Sequence, residues 1–374
     1  MYKYTHFIPQ NIAPKDAKSI GVYNNGKKIC TIPLGRMTPP NKEKLYSFGL
    51  LADVHLWETN TSTYSNSNIK FDNALSYFEN SGCSFCVISG DLTITGLYLR
   101  TSESTVGTEY LDEGQFVAYK ALCDKHTIPV YELCGNHESY YGMPITNNLD
   151  LLETYTGKGE LSYTVTQGND LFILCGQNHG SSVMSDEDFQ WLGETLEANK
   201  DKRCFVFVHA YIEEDSGDPL DVREHSIFES WGATKKTAFI NLLNQYNNVI
   251  LFHGHSHMKF KYQEYDECAN YTDKNGFKSV HTPSLATPRD INFDTMESVD
   301  DRNASEGYIV DVYDDCIVLN GMDFINNKPI PLGTYKIDTI EMNTDIISST
   351  TSYIETMNVL DLENKSVRSV ENND

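Results

Sequence analysis

The chain is patterned as short apolar runs separated by amphipathic stretches. The runs are Phe48 to Val54, Phe85 to Ser89, Ile128 to Cys134, Leu171 to Cys175, Cys204 to Val208 and Val249 to Phe252. Each is strand-sized and bounded by polar or turn-forming residues, so each predicts a β-strand. Helical periodicity falls between them. Ile69 to Phe78 carries apolar residues at 71, 74, 75 and 78, and Phe116 to Cys123 leads into the next strand. Ser185 to Asn199 opens on an N-cap serine with Asp188 three residues on, close to a capping box, and its inner stripe is Phe189, Leu192 and Leu196. Lys235 to Tyr246 puts Phe239, Leu242, Leu243 and Tyr246 on one face. Strand and helix in repetition predict an α/β fold of stacked layers.

The two ends of the chain read differently. Residues 1–45 are polar and broken by Pro9, Pro14, Pro33, Pro39 and Pro40. Within them, Ser19 to Tyr23 and Lys28 to Ile32 flank Asn24-Asn25-Gly26, a hairpin signal. Gly307 to Tyr313 faces Cys316 to Leu319 across Asp314-Asp315, a second hairpin that completes the sheet. From Asn326 the pattern weakens, and residues 342–374, rich in Ser, Thr, Asn and acids, read as a loosely attached tail. The expected organisation is an N-terminal β-hairpin or arm at 1–45, an α/β domain at 46–325 and a polar C-terminal extension at 326–374.

Composition narrows the partners. Of 374 residues, 40% are hydrophobic and 22% charged, ordinary values for a globular protein. No apolar run approaches the ~18 residues of a membrane span, and the N-terminus lacks signal-peptide regions, so a cytoplasmic location and no membrane partner are expected. The 53 acidic residues outnumber the 29 basic ones, for a formal charge of -24. That charge repels long nucleic acid at long range, but it leaves room for a site made locally positive by metal ions. Among the nine cysteines, Cys86, Cys134, Cys175 and Cys204 sit inside apolar runs and read as buried free thiols. Cys83 and Cys86 have no second pair nearby, which argues against a zinc or redox site.

The informative residues follow the apolar runs. These lead in order to Asp53-Val54-His55, Gly90-Asp91, Gly135-Asn136-His137-Glu138, His209, and Gly254-His255-Ser256-His257. Ligands collect at the carboxyl ends of strands in open α/β sheets. Residues i and i+2 on an extended chain point the same way, so Asp53 with His55, and His255 with His257, can each grip one site. Gly90, Gly135 and Gly254 relieve crowding beside an ion. Two aspartates, an asparagine and four histidines, without a thiolate, suit manganese, iron, zinc, nickel or cobalt. They are too many ligands for one ion and enough for two if one carboxylate bridges.

Asp-x-His, Gly-Asp, Gly-Asn-His-Glu, a lone His and Gly-His-x-His, in that order over residues 53–257, resemble the calcineurin-like metallophosphoesterase superfamily. The resemblance implies a four-layer α/β/β/α sandwich with two divalent metal ions at the sheet edge. It implies Asp53, His55 and His257 as ligands of one ion, Asn136, His209 and His255 as ligands of the other, and Asp91 as the bridge. It also implies that His137 contacts phosphate and assists the leaving group. The purple acid phosphatase branch has tyrosine where this chain has Ile94, so the non-purple members, those similar to cyclic-nucleotide phosphodiesterases or acid phosphatases, fit better.

The expected function is hydrolysis of small phosphodiesters or phosphomonoesters by a hydroxide shared between two ions roughly 3.5–4 Å apart. The alternative is a phage virion or tail component, structural or binding, that carries the same domain. Tyr98, Arg100, Arg223 and Arg289 are candidate substrate contacts; His179 and His253 are candidates to support the site. His6, His126, His225 and His281 read as structural. The sequence leaves the oligomeric state open.

Overall fold

The computed structural model describes residues 19–24, 27–33, 42–57, 65–94, 98–101, 109–112, 114–139, 149–177, 184–212, 232–264, 271–273, 275–292, 294–295, 297–339, 358–361 and 366–369. The first two strands, β1 (Ser19–Asn24) and β2 (Lys27–Pro33), form the antiparallel hairpin expected around Asn24. The order then runs β3 (Tyr46–Leu51), α1 (Ser65–Asn80), β4 (Phe85–Ile88), β5 (Tyr98–Thr101), β6 (Glu109–Asp112), α2 (Gly114–Cys123), β7 (Val130–Glu132) and α3 (Leu149–Thr156). It continues with β8 (Ser162–Gln167), β9 (Asp170–Cys175), α4 (Asp186–Ala198), β10 (Arg203–Phe207), α5 (Gly232–Leu243), β11 (Val249–His253), β12 (Tyr271–Thr272) and β13 (Lys278–His281). After β14 (Arg289–Asn292) and β15 (Glu297–Asp300) come β16 (Glu306–Val312), β17 (Cys316–Asp323), β18 (Lys328–Pro329) and β19 (Tyr335–Asp338).

Two sheets stack face to face. One is ordered β18-β17-β16-β3-β4-β7, with β19 on β17; the other is ordered β12-β13-β11-β10-β9-β8. Strands β3, β4 and β7 are parallel, as are β9, β10, β11 and β13. The apolar runs are continuous because both faces of each strand are covered. Phe85 and Val87 face the inter-sheet core, where they meet Phe172, Leu174, Phe205 and Phe207. Their neighbours Cys86 and Ile88 face the other way, onto Phe71, Ala74, Phe78 and Phe116 of α1 and α2. On the second sheet, Cys204 and Val206 pack under Leu192 and Leu196 of α4 and Phe239 and Leu243 of α5. The result is the expected α/β/β/α sandwich. Ser185 caps α4 with the full reciprocal capping box.

The sheets are also tied at the amino ends of the parallel strands. There the buried Arg203 donates through Nε and Nη2 to Asp170, at 2.9 and 2.7 Å, and through Nη1 to the Tyr313 carbonyl at 2.7 Å. The carboxyl ends of both sets of strands are left to meet at the opposite edge.

Several elements differ from the sequence expectation. The run 128–134 is a strand only over Val130–Glu132, because its last residues turn toward the site. Helix α3 and strand β8 were not expected; β8 holds only half-buried and exposed positions, too weak a pattern to stand out from a loop. Beyond Asn326, Tyr335 and Ile337 of β19 are buried between the sheets. Two apolar residues in a four-residue strand are too brief a signal to separate from a polar tail.

Candidate metal centre

Each motif leaves a strand at the same edge. Asp53 and His55 follow β3, Asp91 follows β4, Asn136 and His137 follow β7, His209 follows β10, and His255 and His257 follow β11. Backbone bonds join neighbouring strand ends within each sheet here. Gly254 N–H donates to the His209 carbonyl at 2.8 Å, and Asp53 N–H donates to the Gly90 carbonyl at 3.1 Å.

The donor atoms fall into two groups that share one carboxylate. Asp53, His55, Asp91 and His257 converge in one, and Asp91, His209 and His255 in the other. His257 Nε2 lies 3.0 Å from Asp53 Oδ1 and 3.1 Å from His55 Nε2. His209 Nε2 lies 3.0 Å from Asp91 Oδ2 and 3.2 Å from His255 Nδ1. Asn136 is buried, and its Oδ1 accepts no hydrogen bond. His255 and His257 do not grip one site together; they serve different groups. Nor are the motif residues extended. Asp53, His55, Asp91, His255 and His257 have φ of 51°, 46°, 53°, 71° and 63°, and they are five of the six non-glycine residues with positive φ among those described. Left-handed backbone at bulky residues costs about 1–3 kcal/mol each and persists where surrounding structure over-determines it.

The rest of the shell aims these side chains. Asp53 Oδ2 accepts the His255 N–H at 3.0 Å and Asp91 Oδ1 accepts the His137 N–H at 3.0 Å. In each aspartate the other oxygen is buried and faces an imidazole nitrogen at 3.0 Å, His257 Nε2 at Asp53 and His209 Nε2 at Asp91. His209 Nδ1 donates to the Ser89 carbonyl at 2.7 Å, and His257 Nδ1 faces Thr287 Oγ1 at 3.1 Å, so Nε2 of each ring is left to the centre. A Cβ on Gly135 would stand 2.2 Å from Asp91 Oδ1, and one on Gly90, whose φ is +89°, would stand 2.5 Å from His209 Nδ1. Sequence reasoning gave Glu138 no role. It is fully buried, and its carboxylate accepts the Thr93 N–H at 3.0 Å and the Gly135 N–H at 2.6 Å, joining the second motif to the third.

Charge follows from burial. Burial pushes the Asp53 carboxyl up, against the His209 charge. Burial acts on Asp91 in the same direction, but the His209 and His137 charges outweigh it and hold Asp91 well below the usual range. Burial alone would lower His209, yet Asp91 pushes it up to about 9. Burial and the His209 charge take His255 down to about 3. Burial holds His55 and His257 well below the usual value too, helped by His137 and Arg289 respectively. The neutral imidazoles of His55, His255 and His257, the His209 ring and the carboxylate oxygens of Asp53 and Asp91, packed at 3.0–3.2 Å, form a set of donor atoms aimed at common points. Such a set calls for cations, and the nitrogen and oxygen donors fit two divalent ions of the manganese-to-zinc kind.

His137 stands beside the centre, its Nε2 3.9 Å from Asp91 Oδ2 and its side chain 28% exposed. Its Nδ1 donates to the carbonyl of Ile94, the residue found where the purple branch has tyrosine. Arg289 donates from Nε to Asp300 at 3.0 Å. Tyr98 and Arg100 belong to β5. Arg223, His179, His6 and His225 lie outside the described residues. His126 bridges Glu79 and Asp72 at 3.0 and 2.9 Å, a structural role. Cys83, Cys86, Cys134, Cys175 and Cys204 are buried free thiols. No described helix is long and apolar enough to cross a membrane.

Comparison with known proteins agrees with this geometry. The sequence model of the calcineurin-like phosphoesterase family matches residues 46–259. A dimetal phosphatase from Danio rerio is similar in structure at a TM-score of 0.52 and 16% identity, over 80% of this chain and 100% of that one. A purple acid phosphatase from yellow lupin seeds is similar at a TM-score of 0.50 and 15% identity, over 83% of this chain and 56% of that one. At such identities the two likenesses establish the fold. No curated protein sequence matches the chain significantly. With the family match spanning all five motifs, this chain belongs to the calcineurin-like phosphoesterases, a family of metal-dependent phosphoester hydrolases.

Proposed function

We propose that the chain hydrolyses small phosphoesters, diesters ahead of monoesters, with one divalent ion held by Asp53, His55, Asp91 and His257 and a second by Asp91, Asn136, His209 and His255. The observation that carries this reading is the convergence of the buried Asp53 Oδ1 and Asp91 Oδ2 on the His55, His209 and His257 rings, while Asn136 Oδ1, on the loop after β7, is buried and accepts no hydrogen bond. Buried acceptors are costly to leave unsatisfied, and a cation is the partner that satisfies such a set. A bound pair of divalent ions polarises a phosphoryl oxygen and makes water acidic enough to attack at neutral pH.

The chain's own groups do the rest. Asp91 spans both donor groups and fixes their separation. Ser89 and Thr287 hold the His209 and His257 rings so that Nε2 of each faces inward. His137 keeps its Nδ1 proton on the Ile94 carbonyl, which leaves Nε2 turned toward Asp91 at the partly exposed mouth of the site. In the imidazolium form that Nε2–H donates a proton to the departing ester oxygen. The His137 N–H bond to Asp91 Oδ1 keeps this group in register with the centre.

Charge bears on the substrate. Duplex nucleic acid requires a basic surface, and the chain carries -24. The cations on the flank of the site are engaged. Lys70 donates to the Ala286 and Arg302 carbonyls, Lys259 pairs with Asp290 and Asp301, and Arg289 pairs with Asp300. A dianionic monoester finds no uncommitted cluster among them, which favours the singly charged diester.

The test compares initial rates on bis(nitrophenyl) phosphate, nitrophenyl phosphate, cyclic nucleotides and plasmid DNA, with manganese, at two salt concentrations. Diester turnover above monoester turnover, with intact plasmid, supports the proposal. A monoester rate far above the diester rate overturns the preference, and efficient plasmid degradation overturns the exclusion of nucleic acid. A metal-loaded protein that turns over none of them favours a binding or structural role.

A further inference from the structure

Ser256 stands between His255 and His257, which serve different donor groups. Both flanking residues have left-handed backbone, at φ of 71° and 63°. A loop of this kind does not hold its shape unaided. The Ser256 N–H donates to the Gly254 carbonyl at 2.9 Å. What grips it from behind is its hydroxyl. Ser256 Oγ lies 2.7 Å from His281 Nε2 and accepts the Met258 N–H at 3.3 Å.

His281 is itself firmly placed. It ends β13, which runs parallel to β11 with His281 opposite His253, so its ring emerges level with the loop that follows β11. The Thr282 N–H donates to the His253 carbonyl at 2.7 Å, locking the two strand ends. Tyr308 of the facing sheet donates its hydroxyl to the His281 carbonyl at 3.1 Å. His281 and Ser256 are 1% and 2% exposed, so water does not substitute for either. Neither belongs to a donor group.

We propose that His281, acting through Ser256, positions the His255-Ser256-His257 loop and thereby sets the metal affinity of both halves of the centre. Both are positioning residues. The lever is short: one hydroxyl fixes the middle of a three-residue turn whose ends deliver one imidazole to each donor group. Losing the bond frees both imidazoles at once, whereas losing Ser89 or Thr287 as a partner loosens one ring. The proposal rests on the reading of this centre as a two-ion site.

The test uses the full chain, stripped of metal, in four forms beside the wild type: Ser256→Ala, His281→Ala, the double variant, and His281→Gln. The glutamine amide reaches about as far as Nε2 and restores a polar partner for the serine. Mn2+ binding is followed by titration calorimetry, and the melting temperature of the stripped protein is measured in parallel. We expect Ser256→Ala and His281→Ala each to weaken both Mn2+ equivalents by about 10–100-fold, the usual effect of removing a hydrogen-bonding group behind a ligand. We expect the double variant to lose no more than the worse single, as coupled partners do, and His281→Gln to recover most of the affinity. A lower melting temperature with unchanged Mn2+ affinity would mean a structural role alone and overturns the proposal. Should His281→Ala fail to fold, Ser256→Ala, which removes one oxygen, decides the question. Wild-type protein that binds no Mn2+ overturns the two-ion reading and the proposal with it. Two Mn2+ held equally well by wild type and variants overturns the positioning role alone.

Discussion

His209 Nε2 lies 3.0 Å from Asp91 Oδ2, although the strands that end at these residues, β10 and β4, belong to different sheets. The contact makes Asp91 the hinge of the centre, because the same carboxylate also lies 3.8 Å from His55 in the other donor group. Asp91→Asn keeps the side-chain shape and removes the charge that both groups share. We expect this variant to fold, to lose both metal equivalents by elemental analysis, and to lose turnover with them. Two equivalents retained in folded Asp91→Asn would contradict the shared role.

His137 contributes to no donor group, yet it stands at the mouth of the site. His137→Ala is therefore expected to keep its metals while turnover falls roughly 10²–10⁴-fold, the scale of an acid–base group. Metal content and single-turnover rates measured together check this. An unchanged rate would reduce His137 to packing against His55, whose ring centroid is 4.7 Å away.

Gly135 offers a steric test of how tightly the loops are nested. A Cβ there would meet Asp91 Oδ1 at 2.2 Å and Asp91 N at 2.6 Å, and the second of these is backbone. Gly135→Ala is expected to destabilise the fold by about 1–3 kcal/mol, the range for overpacking, and to weaken metal binding. Urea unfolding and Mn2+ titration report the two effects. Wild-type behaviour in both would show that the loops yield freely.

Glu306 gives the stability a pH dependence away from the centre. Its carboxylate accepts the Phe260 N–H at 2.8 Å, and burial pushes its pKa up from 4.5 to about 7. A carboxyl raised in the folded state favours folding while it is protonated. Its contribution is full below about pH 4.5 and is lost as pH rises through about 7. Glu306→Gln cannot ionise, so its stability relative to wild type is expected to climb between these values and level off above them. Chemical unfolding of both proteins across pH 4–8.5 gives the difference directly, and a flat difference would contradict this account.

The sequence showed the strand ends and the residues they deliver, because strands covered on both faces leave uninterrupted apolar runs and each run stops where the chemistry starts. Phe85 to Ile88 followed by Asp91 is such a case. It did not show how the motif residues converge. Spacing suggested extended pairs, whereas Asp53, His55, His255 and His257 turn through left-handed backbone, a conformation no local pattern announces. Partners distant in sequence were equally hidden. Ser89 reaches His209 across 120 positions, and His281, which looked like any core histidine, proved to lie behind the loop of Ser256. Tyr335 and Ile337 show the same limit, since their burial depends on a sheet edge built by residues 316–319.

The most direct measurement follows diester hydrolysis as Mn2+ is added back to metal-stripped protein, with bound metal quantified at each step. The account predicts negligible hydrolysis without metal, a rise that tracks occupancy, and saturation at two equivalents per chain. Hydrolysis by the stripped protein, or saturation without a second bound ion, would contradict it.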